Sequence, residues 1–225
     1  MSRTRRLYIV ATLLASFALA VSAFAQGEWF ETGSLTTVID GEERLLHTYG
    51  TLVPEDVADG VEDEQQRAIL ERVAGTEQHT ATYKFMEGIS MGGITLTPDT
   101  IWLAFTFRFG GHDSSGPHGV TMQIPLDPAT LEISDPDQIE VTYYPNGPSW
   151  DDFYALTEGA ILLDAVDVVD DVTLRIAGSF TGTFTHQTDY DIVHNPDRAL
   201  AAQGEFVVER VVGSQLALEL LGGGE

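Results

Sequence analysis

Four of the six histidines fall in two short segments. The first, Gly111-His-Asp-Ser-Ser-Gly-Pro-His118, carries His112, Asp113 and His118. The second, His186-Gln-Thr-Asp-Tyr-Asp-Ile-Val-His194, carries His186, Asp189, Asp191 and His194. Neutral imidazoles and carboxylates are the ligands that Zn²⁺ and similar divalent ions take. On extended backbone Asp189 and Asp191 share a face. If both segments reach one end of a sheet, His112, His118, His186, Asp189, Asp191 and His194 supply a mixed nitrogen and oxygen site for Zn²⁺ or Ca²⁺. The spacing matches no metal motif, and loop histidines without a role are the competing explanation.

A second constellation is Tyr143-Tyr-Pro-Asn-Gly-Pro-Ser-Trp-Asp-Asp-Phe-Tyr154. Aromatic faces stack on sugar C–H surfaces, and carboxylates accept hydroxyl protons. Tyr143, Tyr144, Trp150, Asp151 and Tyr154 are therefore candidate glycan or small-ligand contacts. That reading requires Trp150 and one of Tyr143, Tyr144 or Tyr154 to stand exposed. The competing reading is a loop pinned to the core by its own rings. Asp151-Asp152 suits glycoside cleavage only with a partner carboxylate across a cleft.

Other chemistry is not indicated. Ser114 and Ser115 lack a nucleophile elbow. Asp164, Asp167, Asp170 and Asp171 lack the EF-hand spacing and its turn glycine, so they read as solvated strand ends. Gly88 to Gly93 reads as a β-turn and not a phosphate loop, because no Lys-Ser/Thr follows.

The elements that must position these residues are mostly strands. From Val172 to His186 the chain alternates: Val172, Leu174, Ile176, Gly178, Phe180, Gly182 and Phe184 on one face, Thr173, Arg175, Ala177, Ser179, Thr181, Thr183 and Thr185 on the other. The step Gly178-x-Phe180 recurs as Gly204-x-Phe206 in a strand from Ala202 to Val212. These two read as long strands of one antiparallel sheet, with glycine leaving room for a cross-strand ring. Glu28 to Ile39 and about Glu43 to Val53 form a hairpin through Asp40-Gly41, a type I′ signal, ended by Pro54. Ile101, Leu103, Phe105, Phe107 and Phe109 share an apolar face. Ala160 to Val169 is apolar without clear alternation, which predicts a strand covered on both sides or crossing between sheets. One short α-helix is expected near residues 60–74, capped by Asp59 with Glu62, striped by Val61, Ile69, Leu70 and Val73, and stopped at Gly75.

Composition sets the address. Arg3, Arg5 and Arg6, the apolar run Leu7 to Phe24 and Ala23-Phe-Ala25 read as a signal peptide over residues 1–25. Residues 26–225 then form one exported domain, periplasmic or extracellular, with no membrane span after cleavage. Losing the leader takes three of the 11 basic residues and none of the 35 acids, leaving a net charge of −27. So acidic a chain argues against nucleic acid or an anionic membrane as partner. The absence of cysteine excludes disulfides and thiolate metal sites.

Several resemblances follow from these motifs. Thr4-Arg-Arg-Leu-Tyr-Ile9 resembles the twin-arginine export signal. Gly-x-Phe-x-Gly-x-Phe from Gly178, with Gly204-x-Phe206-x-Val208, resembles uncharacterised exported bacterial β-sandwich proteins, a likeness that implies no activity. Gly27-Glu-Trp29 and Thr188-Asp-Tyr190 resemble two lipocalin signatures, spaced further apart than in that family, and imply a small-molecule carrier.

The sequence thus predicts a mainly β protein, an antiparallel β-sandwich of jelly-roll or Greek-key type with one helix. The leading function is a non-catalytic binding or structural module without a cofactor, its partner a glycan, a small ligand or another exported protein. The alternative is a divalent-metal-dependent periplasmic enzyme using the His/Asp segments.

Overall fold

The computed structural model describes residues 28–61, 64–91, 94–109, 119–146, 152–188 and 193–213. The strands are β1 (Glu28–Ile39), β2 (Glu42–Leu52), β3 (Glu77–His79), β4 (Ala81–Met86), β5 (Ile89–Met91), β6 (Ile94–Thr97), β7 (Thr100–Arg108), β8 (Gly119–Leu126), β9 (Glu140–Tyr144), β10 (Phe153–Asp170), β11 (Thr173–Thr188) and β12 (Val193–Gly213). One α-helix, α1 (Glu64–Val73), lies between β2 and β3 among the described residues. The protein is mainly β, its strands arranged in a large sandwich-like sheet. The signal peptide expected over residues 1–25 lies outside the described residues.

The chain forms two compact units, residues 28–30 with 50–78 and residues 31–49 with 79–213. In the smaller, Val53, Val57, Leu70 and Val73 are buried. Helix α1 stops at Gly75, whose φ of +71° an L side chain rarely adopts. The Gly75 N–H donates to the Val53 carbonyl, and the Val53 N–H donates to Thr76. The capping pair expected of Asp59 and Glu62 reaches residue 62, which is outside the described residues.

In the larger unit the hydrogen-bonded strand order returns to its start. It runs β12, β1, β2, β7, β8, β9, β10, β11 and back to β12. The β1–β2 turn is Asp40-Gly41, both with positive φ (53° and 78°), as a type I′ hairpin demands. Strand β4 fills a fork in this order. It pairs antiparallel with β7 from Ala81 to Met86, and parallel with β12 at Thr82 and Tyr83.

The Gly-x-Phe steps interlock. Gly178 lies opposite Phe206, and Phe180 opposite Gly204. A Cβ on Gly178 would sit 2.7 Å from Phe206 Cζ, and one on Gly204 would sit 2.7 Å from Phe180 Cε1. Each glycine clears the space that the facing ring occupies. Phe206 also meets Phe105 and Phe107 at centroid distances of 6.0 and 6.2 Å. Phe180 meets Phe184, and Phe184 meets Tyr143, at 6.1 and 6.0 Å. These rings stand in the buried core with Leu35, Leu103, Met122 and Ile176. Such rings prefer tilted and edge contacts, which these are.

Several expectations change. Ala160 to Val169 is not covered on both sides: Leu162 and Val168 are 63% and 65% exposed. The alternation is obscured because β10 shifts register against β11 between Leu156 and Glu158, Leu163 and Ala165, and Val168 and Asp170. Each bulge advances the side-chain phase by one residue. Phe109 leaves the apolar face and is exposed, as is Val172, which sits in the β10–β11 turn. The Gly88 to Gly93 stretch contains strand β5, which pairs with β6.

Candidate functional site

Strand β11 does not end at His186. It runs to Thr188, where it pairs with Val193 at the start of β12, so both described flanks of the second histidine segment lie within the sheet. The register changes sharply here. Thr185 pairs with Ala199, but His186 pairs with Asn195. Residues 196–198 are therefore extra on β12. Pro196 has no N–H to give the ladder, and the Asp197 N–H turns back to Asn195 Oδ1 at 3.2 Å. The excursion brings Arg198 to His186.

Four side chains meet there. His186 Nε2 lies 2.9 Å from Asp152 Oδ1 and 2.9 Å from Arg198 Nη1. Arg198 Nη2 donates to Tyr154 Oη at 2.8 Å, and the guanidinium carbon stands 5.6 Å from the centre of the Tyr154 ring. Tyr154 meets His186 edge to face at 5.0 Å. Asn146 Nδ2 donates to the other Asp152 oxygen at 3.1 Å. Burial is graded: the His186 side chain is 3% exposed, Asp152 34% and Arg198 50%. The group thus runs from the core to the surface.

Below it the rings continue. Tyr154 packs on Tyr143 at 6.1 Å. Arg44 of β2 places its guanidinium carbon 5.9 Å from the centre of the Tyr143 ring, within the range of a cation–π contact. Burial raises the Tyr143 hydroxyl pKa above the ordinary tyrosine value, with Arg44 opposing the shift. Burial raises that of Tyr144 as well, against a hydrogen bond with Thr121 that lowers it.

The two constellations seen in the sequence meet here, through Tyr143 and Tyr154 of one and His186 of the other. Tyr143 and Tyr154 are buried, so these two rings offer no open sugar-stacking face. Tyr144 is half-buried and packs against Phe153. His194 is registered against Gln187, one position out from His186. Trp150, Asp151, His112, His118, Asp189 and Asp191 lie outside the described residues. Among the described residues no group of three or more His, Asp or Glu is placed to hold a metal ion.

Arg44, Arg198 and Asp152 are the members that motif reading passed over. Asp152 counted only as the neighbour of Asp151. Arg198 follows Asn195-Pro196 in β12, at the register shift that presents the arginine. A usable signal was scarcity: residues 26–225 hold only eight basic residues, against 35 acids.

No protein family, characterised protein or solved structure matches this chain.

Proposed function

We propose that this chain is an exported binding protein without catalytic activity, taking a small polar ligand where Asp152, Tyr154, His186 and Arg198 meet. The observation that carries the reading is the graded burial of that group, anchored at His186 and half open at Arg198. A carrier barrel of lipocalin type needs internal space for an apolar ligand. Phe105, Phe107, Phe180, Phe184 and Phe206 stand in the core of the larger unit. That favours a ligand at the rim. The acidic surface suits a soluble exported protein and disfavours nucleic acid.

The test is a thermal melt of the purified chain against a panel of monosaccharides, sugar acids and small dicarboxylates. A compound bound only by the native state raises the midpoint by mass action. The reading requires a shift that Tyr154→Phe or Arg198→Gln reduces. Shifts identical in both variants would move the site elsewhere.

A metal-dependent enzyme remains the second reading, because His186 Nε2 and an Asp152 carboxylate oxygen, one nitrogen and one oxygen ligand type, stand 2.9 Å apart. For it, Zn²⁺ or Ca²⁺ must raise the midpoint, EDTA must reverse the rise, and His186→Ala must abolish it.

A further inference from the structure

The hydrogen bonds around His186 do not close. Its Nε2 lies 2.9 Å from a group that can only donate, the Arg198 guanidinium, and 2.9 Å from one that can only accept, the Asp152 carboxylate. One ring nitrogen serves one of them. If Nε2 is bare, it accepts from Arg198, and its lone pair faces the Asp152 oxygen. The other nitrogen, Nδ1, then carries the hydrogen, and Nδ1 is buried without a partner among the described residues. An orphaned buried N–H is among the rarest features of folded proteins. If Nε2 carries the hydrogen, it donates to Asp152, Nδ1 is only an empty acceptor, and Asp152 is satisfied on both oxygens, since Asn146 holds the other. Arg198 Nη1 then faces a second donor at 2.9 Å, so its hydrogens must turn to another acceptor.

Arg198 is built to wait for an acceptor. Its Nη2 is fixed by Tyr154 Oη, its plane is held near the Tyr154 ring, and its contact to Asp152 is a long 3.7 Å. A planar guanidinium fixed on one side presents a preset fork to a carboxylate, and charge-assisted pairs of this kind are the strong ones. Half of its side chain remains open to solvent.

We propose that Arg198 is the anchor for a carboxylate on the ligand, with His186 held as the Nε2–H tautomer by Asp152 so that Arg198 Nη1 stays available. This rests on the proposed binding function and names the ligand class of that same site: a small, hydroxylated carboxylic acid such as a sugar acid.

The test titrates glucuronate, glucose and acetate into the purified chain, by calorimetry, for the wild type, Arg198→Gln and Arg198→Lys. Glucuronate should bind at least about tenfold more tightly than glucose, and Arg198→Gln should remove that preference, as expected for loss of one charge-assisted hydrogen bond. Arg198→Lys keeps the charge without the fork and should recover only part of it. If acetate matches glucuronate, the site takes the oxyanion alone and the sugar-acid class is wrong. If glucose binds as well as glucuronate, and Tyr154→Phe weakens both, the binding function stands and the carboxylate anchor falls. If nothing binds, both fall. A ligand-free readout stands beside these: ¹⁵N spectra of the histidine rings must show His186 as the Nε2–H tautomer, and an Nδ1–H signal overturns the anchor.

Discussion

Replacing Gly204 by alanine tests the interlocked glycine and phenylalanine steps directly. The backbone there is extended, so the alanine meets no dihedral strain and the effect is steric. Its Cβ would lie 2.7 Å from Phe180 Cε1, 3.0 Å from Leu35 Cδ1 and 3.0 Å from the Thr36 carbonyl oxygen. Carbon pairs rest at about 3.5–4.0 Å, so the Phe180 ring must retreat by roughly 1 Å. Phe184 stands against it at a ring separation of 6.1 Å. Overpacking of this kind costs about 1–3 kcal/mol. Loss of glycine freedom in the unfolded chain offsets about 0.4–1 kcal/mol. The net destabilisation is then about 1–2 kcal/mol, or roughly 2–8 °C in melting midpoint for a protein of this size. Guanidinium denaturation should show a lower midpoint with unchanged slope. Phe180→Leu in the same molecule vacates the space the methyl needs, so the double variant should lose less than the two singles together, by about 1 kcal/mol. Additivity within about 0.5 kcal/mol would refute the reasoning. Gly178→Ala is the control. Its Cβ would come within 2.4 Å of the Leu162 carbonyl, which belongs to the neighbouring strand, so Phe206→Leu should recover less of its loss.

Other outcomes follow from single features. The Tyr143 hydroxyl has its pKa raised, chiefly by burial, so the folded state holds its proton longer than the unfolded chain. Its stabilising contribution is present below about pH 10 and is lost as pH rises through the folded value; Tyr143→Phe should flatten the alkaline limb of a stability profile. The Asp170 carboxyl is lowered first by the Val172 N–H, then by Thr173 and Arg210. Its contribution is present above the ordinary aspartate value and lost as pH falls through the folded one, so Asp170→Asn should weaken the acid dependence of urea midpoints. Leu162 stands exposed on β10 beyond Ala155, the last residue that β9 pairs. Leu162→Glu should change stability by no more than about 0.5 kcal/mol and should lower aggregation measured by light scattering on heating.

The parts of the fold legible in the sequence were those with local physical causes. Asp40-Gly41 marks a hairpin because only such residues tolerate positive φ twice in succession. Gly75 stops α1 for the same reason. The repeated Gly-x-Phe step announced a cross-strand relation, and the register supplies it. Strand β10 was harder, since three bulges scramble a period that depends on strict alternation. The site was the least legible. His186, Tyr143 and Tyr154 carry recognisable chemistry, but they meet through pairings of β9 with β10 and β10 with β11 that no local pattern encodes. Arg44 is more remote still, reaching Tyr143 from a strand that is not hydrogen bonded to β9. Arg198 depended on a three-residue excursion, which the Asn-Pro pair permits without specifying where it lands.

The closed strand order also bears on the life of the chain as it is made. β1 pairs with β12, so that Leu35 lies against Phe206, and the earliest strand of the larger unit waits for the latest. Contacts this distant in sequence form slowly, because a long loop must close before they stabilise anything. The hairpins from β7 to β9 can zip as they emerge from the ribosome, but the ring stays open until translation has passed residue 208. Until then the growing polypeptide is a meander with two unsatisfied edges, open to chaperones and to any transport machinery that needs an extended substrate.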